Sequence, residues 1–229
     1  MDVTSKIIRK YRFSDGVLLH LARQVVRAGT RDNAELDALG VTTARLNALQ
    51  TMATTFVNTE DDVEWKGLVS IKRELKDAAL EECKISMANI RRMAANAFGE
   101  KSSTYRRFGF NKINRLSDVL RIKAYFRIWR RASENAAAMA SEGMTAQVLS
   151  DYLTACETYD LAYDVMEDTA IERDIAAENR VQLGNSIYAE VAKISNTGKT
   201  YWFTRSEAKY NDYLITPSGT SAPAQPEEQ

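Results

Sequence analysis

All three prolines of this 229-residue chain, Pro217, Pro223 and Pro226, fall in its last thirteen residues, so 216 consecutive residues contain none. Proline fixes φ and removes a backbone donor, and it ends or kinks any helix it enters. A chain without it is free to build long helices. Val and Ile rarely cluster in period-two runs here, which leaves little for strands to be made from. The expected class is all-α. The proline-bearing end, otherwise nearly all Ser, Gly, Thr, Ala, Gln and Glu, reads as a disordered tail over 216–229.

Helix starts and stops can be placed from capping chemistry. Ser14 is a good N-cap, and Leu18, Leu21, Ala22 and Val25 follow on one face until Gly29, where the helix is expected to end. Thr30 then caps a short helix that stops at Gly40. Thr42 caps the next, with Leu46, Leu49, Ala53 and Phe56 at helical spacing. A longer helix carries Leu68, Ile71, Leu75, Ala79, Cys83, Ile90, Met93 and Ala97 on one expected apolar face toward Gly99. At the join, Asn58-Thr59-Glu60-Asp61-Asp62 offers a cap followed by first-turn acids. Against a break, the stripe from Leu46 stays in helical phase through Val63, Leu68 and Leu75, so one continuous helix remains open.

A shift of 103 residues lays this grammar over the second half: Ser14-Asp15 on Ser117-Asp118, Arg27 on Arg130, Gly40 on Gly143, Thr42 on Thr145, Leu46 on Leu149. The coincidences fall where helix ends need particular chemistry. The expected fold is therefore an antiparallel helical bundle with internal pseudo-two-fold duplication and long helices. Its parts would be a first helical repeat over 1–100, a second over 101–200, an aromatic C-terminal cap over 201–215, and the tail. The stretch Leu161 to Val165 has no breaker, so a helix from Thr145 to Asn196 could run about 75 to 80 Å uninterrupted.

Tyr-Arg-Phe-Ser-Asp at 11–15, Tyr105-Arg106-Arg107-Phe108-Gly109-Phe110, Gly198-Lys199, and Ala208-Lys209-Tyr210-Asn211-Asp212-Tyr213 together resemble a family of duplicated all-helical bacterial proteins. No activity is attached to that family. The resemblance implies the duplicated helical fold and brings no ligand or site residue with it.

Several constellations invite a functional reading. Gly198-Lys199-Thr200 looks like the end of a phosphate-binding loop, but Lys193 stands where the earlier glycine belongs and a helix precedes it, so Gly198 reads as a helix C-cap. His20 is the only histidine and lies opposite the apolar stripe beside Arg23, Gln24 and Arg27. It reads as a surface residue, and a single histidine rules out paired Glu-x-x-His metal motifs. Cys83 and Cys156 lack metal spacing and read as buried free thiols.

The charge layout is the strongest local signal. The 31 Lys and Arg balance 31 Asp and Glu, so the whole chain has no bulk attraction for nucleic acid or an anionic membrane. Within Lys101 to Arg131, however, ten basic residues meet a single acid, Asp118, among Tyr105, Phe108, Phe110, Tyr125, Phe126 and Trp129. Lys123, Arg127, Arg130 and Arg131 share one helical face while Ile122, Phe126 and Trp129 share another, so the aromatics read as core. The run Glu157, Asp160, Asp164, Glu167, Asp168, Glu172, Asp174 and Glu178 holds one basic residue, Arg173, and forms a solvated or ion-paired face without an EF-hand loop.

No nucleophile–base pair, metal set or cofactor fingerprint can be assembled from these residues, so no catalytic, cofactor or metal site is expected. The favoured reading is a non-enzymatic structural or scaffolding protein that acts by protein–protein association, self-assembly included. Its candidate interaction residues are Lys123, Arg127, Arg130 and Arg131 on the basic face, with Tyr201, Trp202, Tyr210 and Tyr213 in the aromatic cluster. A nucleic-acid- or anion-binding module using 101–131 is the first alternative, and an enzyme with an unrecognised site the second. A cytoplasmic location is expected, since Met1 to Phe13 carries no apolar leader and no apolar run reaches membrane length.

Overall fold

The computed structural model describes residues 7–215, so the tail expected over 216–229 lies outside the described residues. The described chain is all-α, with no strand: α1 (Asp15–Arg31), α2 (Asn33–Leu36), α3 (Thr43–Asn58), α4 (Asp62–Phe98), α5 (Ser103–Phe108), α6 (Asp118–Glu134), α7 (Ala146–Trp202) and α8 (Glu207–Asp212). Short 3-10 turns occupy Asp37–Leu39, Ile113–Arg115 and Ala137–Glu142. None of the helices is long and apolar enough to cross a membrane among the described residues.

Capping chemistry sets most starts. Ser14 accepts from the Val17 amide, Thr42 from Arg45, Ser102 from Tyr105, Thr145 from Val148 and Ser206 from Lys209. Ser117 holds the N-cap backbone conformation of α6, but its side chain accepts no amide. At helix ends, Gly40, Gly99, Gly109 and Gly143 take the left-handed conformation that a Cβ disfavours.

Two glycines expected to stop helices do not. α1 runs through Gly29 to Arg31, and Thr30, expected as the cap of the next helix, lies inside α1 with its hydroxyl donating to the Val26 carbonyl. α7 likewise runs through Gly198 to Trp202. Both glycines leave room for a neighbour instead. A Cβ on Gly29 would stand 2.7 Å from a Leu46 methyl, and one on Gly198 would collide with the Tyr213 ring.

The chain divides into two compact units. One is contiguous, Val63–Arg173; the other joins the chain up to Asp62 with the chain from Asp174 onward. In the contiguous unit, Cys83, Ile90 and Ala94 of α4 pack with Tyr125, Ile128 and Ala132 of α6, Tyr152, Cys156 and Tyr159 of α7, and Phe108 of α5. In the other, Leu18, Leu21 and Val25 of α1 pack with Leu49 and Phe56 of α3, Ile187, Val191 and Ile194 of α7, and Tyr213.

The apolar stripe expected on α4 holds only in part. Ala79, Cys83, Ile90 and Met93 are buried, but Ile71 and Leu75 are more than half exposed. At the join left open by the sequence, α3 ends at Asn58 and Thr59 turns extended, with φ −81° and ψ 128°, before α4 begins at Asp62. The corresponding stretch of the second half passes helically within α7. α6 starts and ends 103 residues after α1, α7 starts 103 after α3, and left-handed Gly143 follows Gly40 by the same interval.

Candidate functional site

Both units fix the first acid of a helix from a long helix that is remote in sequence. In the contiguous unit Asp118, at the start of α6, accepts from Lys76 of α4 at 2.9 Å, from Arg121 at 2.8 Å and from the Tyr159 hydroxyl at 2.7 Å. Burial alone would raise this carboxyl, but Lys76, Tyr159 and Arg121 outweigh it and hold it below the ordinary range. In the other unit Asp15, at the start of α1, accepts from Arg180 of α7 at 3.1 Å, from the Tyr11 hydroxyl at 3.0 Å and from Arg9. Arg180 also donates to the carbonyls of Phe56 at 3.3 Å and Thr59 at 2.8 Å, and its guanidinium lies over the Phe56 ring. An acid in the first turn suits the positive end of a helix, so these clusters have a complete structural explanation.

A third buried acid ties down the C-terminal end. Asp32, fully buried after α1, accepts from Arg31, from Lys209 at 2.9 Å and from the Tyr213 hydroxyl at 3.1 Å. Burial pushes its carboxyl up, yet the bonds from Arg31, Lys209 and Tyr213 prevail and bring it to about 2. Tyr213 is therefore an internal strut. Trp202 is buried under the Lys209 ammonium, Tyr201 is half-buried under Arg205, and Tyr210 is half-buried against Phe203. Of this aromatic group only Phe203, 70% exposed, offers a broad free ring.

The basic candidates separate into two kinds. Arg127 donates to the carbonyls of Phe108 and Gly109, closing the end of α5, and Arg131 pairs with Glu134. Lys123 and Arg130 are exposed and have no acidic partner among the described residues. Lys101, Arg106, Arg107, Lys112 and Arg115 share that condition, so seven of the ten basic side chains of this segment are exposed and unneutralised. Sequence spacing put Arg127 with Lys123 and Arg130; the carbonyls that draw it inward belong to another element and leave no local pattern.

On α7 of the same unit, Glu157, Asp164, Glu167, Asp168 and Glu172 are exposed, again without basic partners among the described residues. Between them stand the exposed apolar side chains of Leu161 and Ile171, 65% and 57% accessible. The acids stand out in the sequence, whereas the exposure of Leu161 and Ile171 does not. Whether a neighbour covers an apolar side chain depends on elements remote in sequence, which leave no local pattern.

Other candidates take ordinary places. Lys199 and Thr200 lie within α7, so no phosphate-cradling loop forms there. His20 is exposed on α1. Cys83 and Cys156 are free and buried, and they meet in the core, where hydrogen bonding to Cys156 and burial push the Cys83 thiol up. No group of three or more His, Cys, Asp or Glu side chains able to hold a metal occurs among the described residues. No protein-family model, curated protein or solved structure matches the chain.

Proposed function

We propose that the protein is a duplicated helical module that acts by association rather than catalysis, assembling with copies of itself through the contiguous unit. The observation that carries this reading is the pairing of opposite surfaces on that one unit. Seven exposed cations without an acidic partner among the described residues lie between Lys101 and Arg130, and an exposed acidic face with apolar residues at its centre lies on α7. Opposite charges on different patches set register and encounter rate, and desolvated apolar side chains supply the affinity. A contact between unlike patches closes into a ring or continues as a filament.

The duplication is supported by the 103-residue agreement of helix bounds and by the matching first-turn acids, each held by a long-helix cation: Asp15 by Arg180, Asp118 by Lys76. A bundle in which each half is one repeat accounts for both.

The test is the solution mass of wild type and of the variant Arg106→Glu, Lys123→Glu, Arg130→Glu at low and high salt. Wild type should show association at low salt that is lost as salt rises, while the variant should lose that salt-sensitive association and stay equally helical by circular dichroism. A wild type that is monomeric at high concentration and low salt would refute the proposal. Binding of a mixed-sequence oligonucleotide that weakens steeply with salt, without self-association, would move the assignment to a nucleic-acid-binding module.

A further inference from the structure

The unit made from both chain ends is a non-covalent docking of two segments, 7–62 and 174–215. The bonds that close it each span more than a hundred residues: Asn185 with the backbone of Ile8 and Lys10, Arg45 with Glu190, Arg31 with Asp212, Lys209 with Asp32, Arg180 with Asp15. Its apolar core likewise sets α1 and α3 against Ile187, Val191 and Ile194. None of these partners lies in 63–173, so the N-terminal segment would meet the same contacts on the C-terminal segment of another molecule.

The link that would have to move is Thr59–Asp61, and Arg180 governs it. In a helix running from α3 into α4, the Phe56 carbonyl would accept from the Glu60 amide and the Thr59 carbonyl from Val63. Instead both accept from the Arg180 guanidinium. In the contiguous unit the equivalent cation is Lys76, 104 residues earlier. Its ammonium reaches Asp118 and Asp77 but no α7 carbonyl, and there the helix runs on without a break. An ammonium is a point charge, whereas a guanidinium is a fork that can hold an acid and two carbonyls at once.

We infer that the protein forms a second kind of dimer, by exchange, in which the α1–α3 segment of each copy docks on the 174–215 segment of the other while α3 and α4 join into one helix. Arg180 is the positioning residue that holds the closed monomer by occupying the carbonyls the joined helix needs. The partner is a second copy of this chain, and the interface is the one already built inside the monomer. Away from the hinge the contacts that close the unit are the same in the two forms, so concentration and the hinge decide between them. The inference does not depend on the charged faces. Surface association dissolves in salt, whereas an exchanged dimer persists through dilution and salt because each unit must open before the copies part.

A charge-reversed pair tests the exchange. Arg45→Glu and Glu190→Arg each place like charges in the closed monomer. In an exchanged dimer of the two variants both units regain an opposite pair: one unit joins the two substituted side chains, and the other joins the native Arg45 and Glu190. Tagged versions of the two variants, co-refolded at low salt where the ion pair is least screened and then moved to high salt to dissolve surface association, should give a mixed dimer well above the statistical share, with helicity and melting temperature restored toward wild type. A mixture that stays unmixed, or mixes only statistically, would overturn the inference. Two hinge variants give an independent reading by gel filtration after refolding. Glu60→Pro suits the extended Thr59 and cannot continue a helix, so it should abolish the dimer. Arg180→Lys keeps the ion pair to Asp15 and loses the carbonyl fork, so it should raise the dimer fraction several-fold. Equal dimer fractions in wild type and both hinge variants would also overturn it.

Discussion

Gly198 and Gly67 are both glycines inside helices, and they should respond to alanine with opposite signs. Alanine is favoured over glycine in a helix by about 1 kcal/mol, because glycine surrenders more backbone freedom. Nothing lies within 4 Å of a Cβ at Gly67, so Gly67→Ala should stabilise by roughly that amount. At Gly198 the Cβ meets the ring of Tyr213, which is itself fully buried and bonded to Asp32 and so cannot swing aside. Overpacking of that kind costs about 1 to 3 kcal/mol, so Gly198→Ala should lower the midpoint of urea unfolding. Melting both variants checks the pair. The contrast also shows what a sequence can convey about glycine. Gly40, Gly99 and Gly143 end helices as their positions suggested, whereas Gly29 and Gly198 serve remote side chains that no local pattern reveals. Asp32 was equally illegible, since its partners Lys209 and Tyr213 are far off in sequence. Its carboxyl lies at about 2, against roughly 3.9 for a free aspartate, so it contributes stability above pH ~4 that is lost as pH falls toward 2. Asp32→Asn should lose stability at neutral pH and show a shallower loss between pH 4 and 2, read from thermal melts across that range.

At the scale of elements, caps and breakers were legible, and faces only where burial follows period. α6 and the start of α7 appear where the capping serines and threonines put them. α4 departs from its pattern, since Ile71 and Leu75 share the helical stripe with Cys83 and Ile90 yet stand exposed. Periodicity reports which residues share a face, and not how far along the helix a neighbour covers that face. Ile90→Asp would bury a charge with no partner at a cost of several kcal/mol, which should abolish cooperative unfolding. Leu75→Asp should leave the melting curve nearly unchanged, because the charge remains in water. The thiols make a related check on α4 and α7. Cys83 and Cys156 are buried against each other and the Cys83 thiol is pushed up, so both should resist a thiol reagent in the native protein. Reaction should follow global unfolding, with labelling rates rising in step with loss of the helical signal in denaturant.

At the scale of the whole molecule, the 103-residue register of helix bounds and compactness in space divide the chain differently. The sequence reads as halves meeting near residue 100, while the compact units change at Asp62 and Asp174. The reason lies in the long helices. Ile90 and Cys83, on the last helix of the first half, bury themselves against α6 and the start of α7, and Ile187, Val191 and Ile194, near the end of the second half, bury themselves against α1 and α3. A hydrophobic core folds as a unit only when all its walls are present, so fragments cut by the two schemes should behave differently. Residues 63–173 contain every member of one core cluster, from Ala79 to Tyr163, together with the Lys76–Asp118–Tyr159 network. That fragment should be helical and unfold cooperatively, with Trp65 and Trp129 as reporters. Residues 1–100 hold α1 and α3 without Ile187, Val191, Ile194 and Arg180, and hold α4 without Tyr125 and Tyr159. Leu18, Leu21, Leu49 and Phe56 would lose one wall of their core. At about 25 cal/mol per Å² of apolar surface, leaving such side chains uncovered forfeits roughly 1.5 to 3 kcal/mol each, enough in sum to exceed the stability of a small domain. The 1–100 fragment should therefore aggregate or melt without a transition. Adding 101–229 in trans should restore a cooperative transition to the mixture, because the two halves then supply each other's missing walls. Circular dichroism melts of the three samples decide it, and a cooperative 1–100 fragment beside a disordered 63–173 fragment would mean that the halves, and not the spatial units, are what folds.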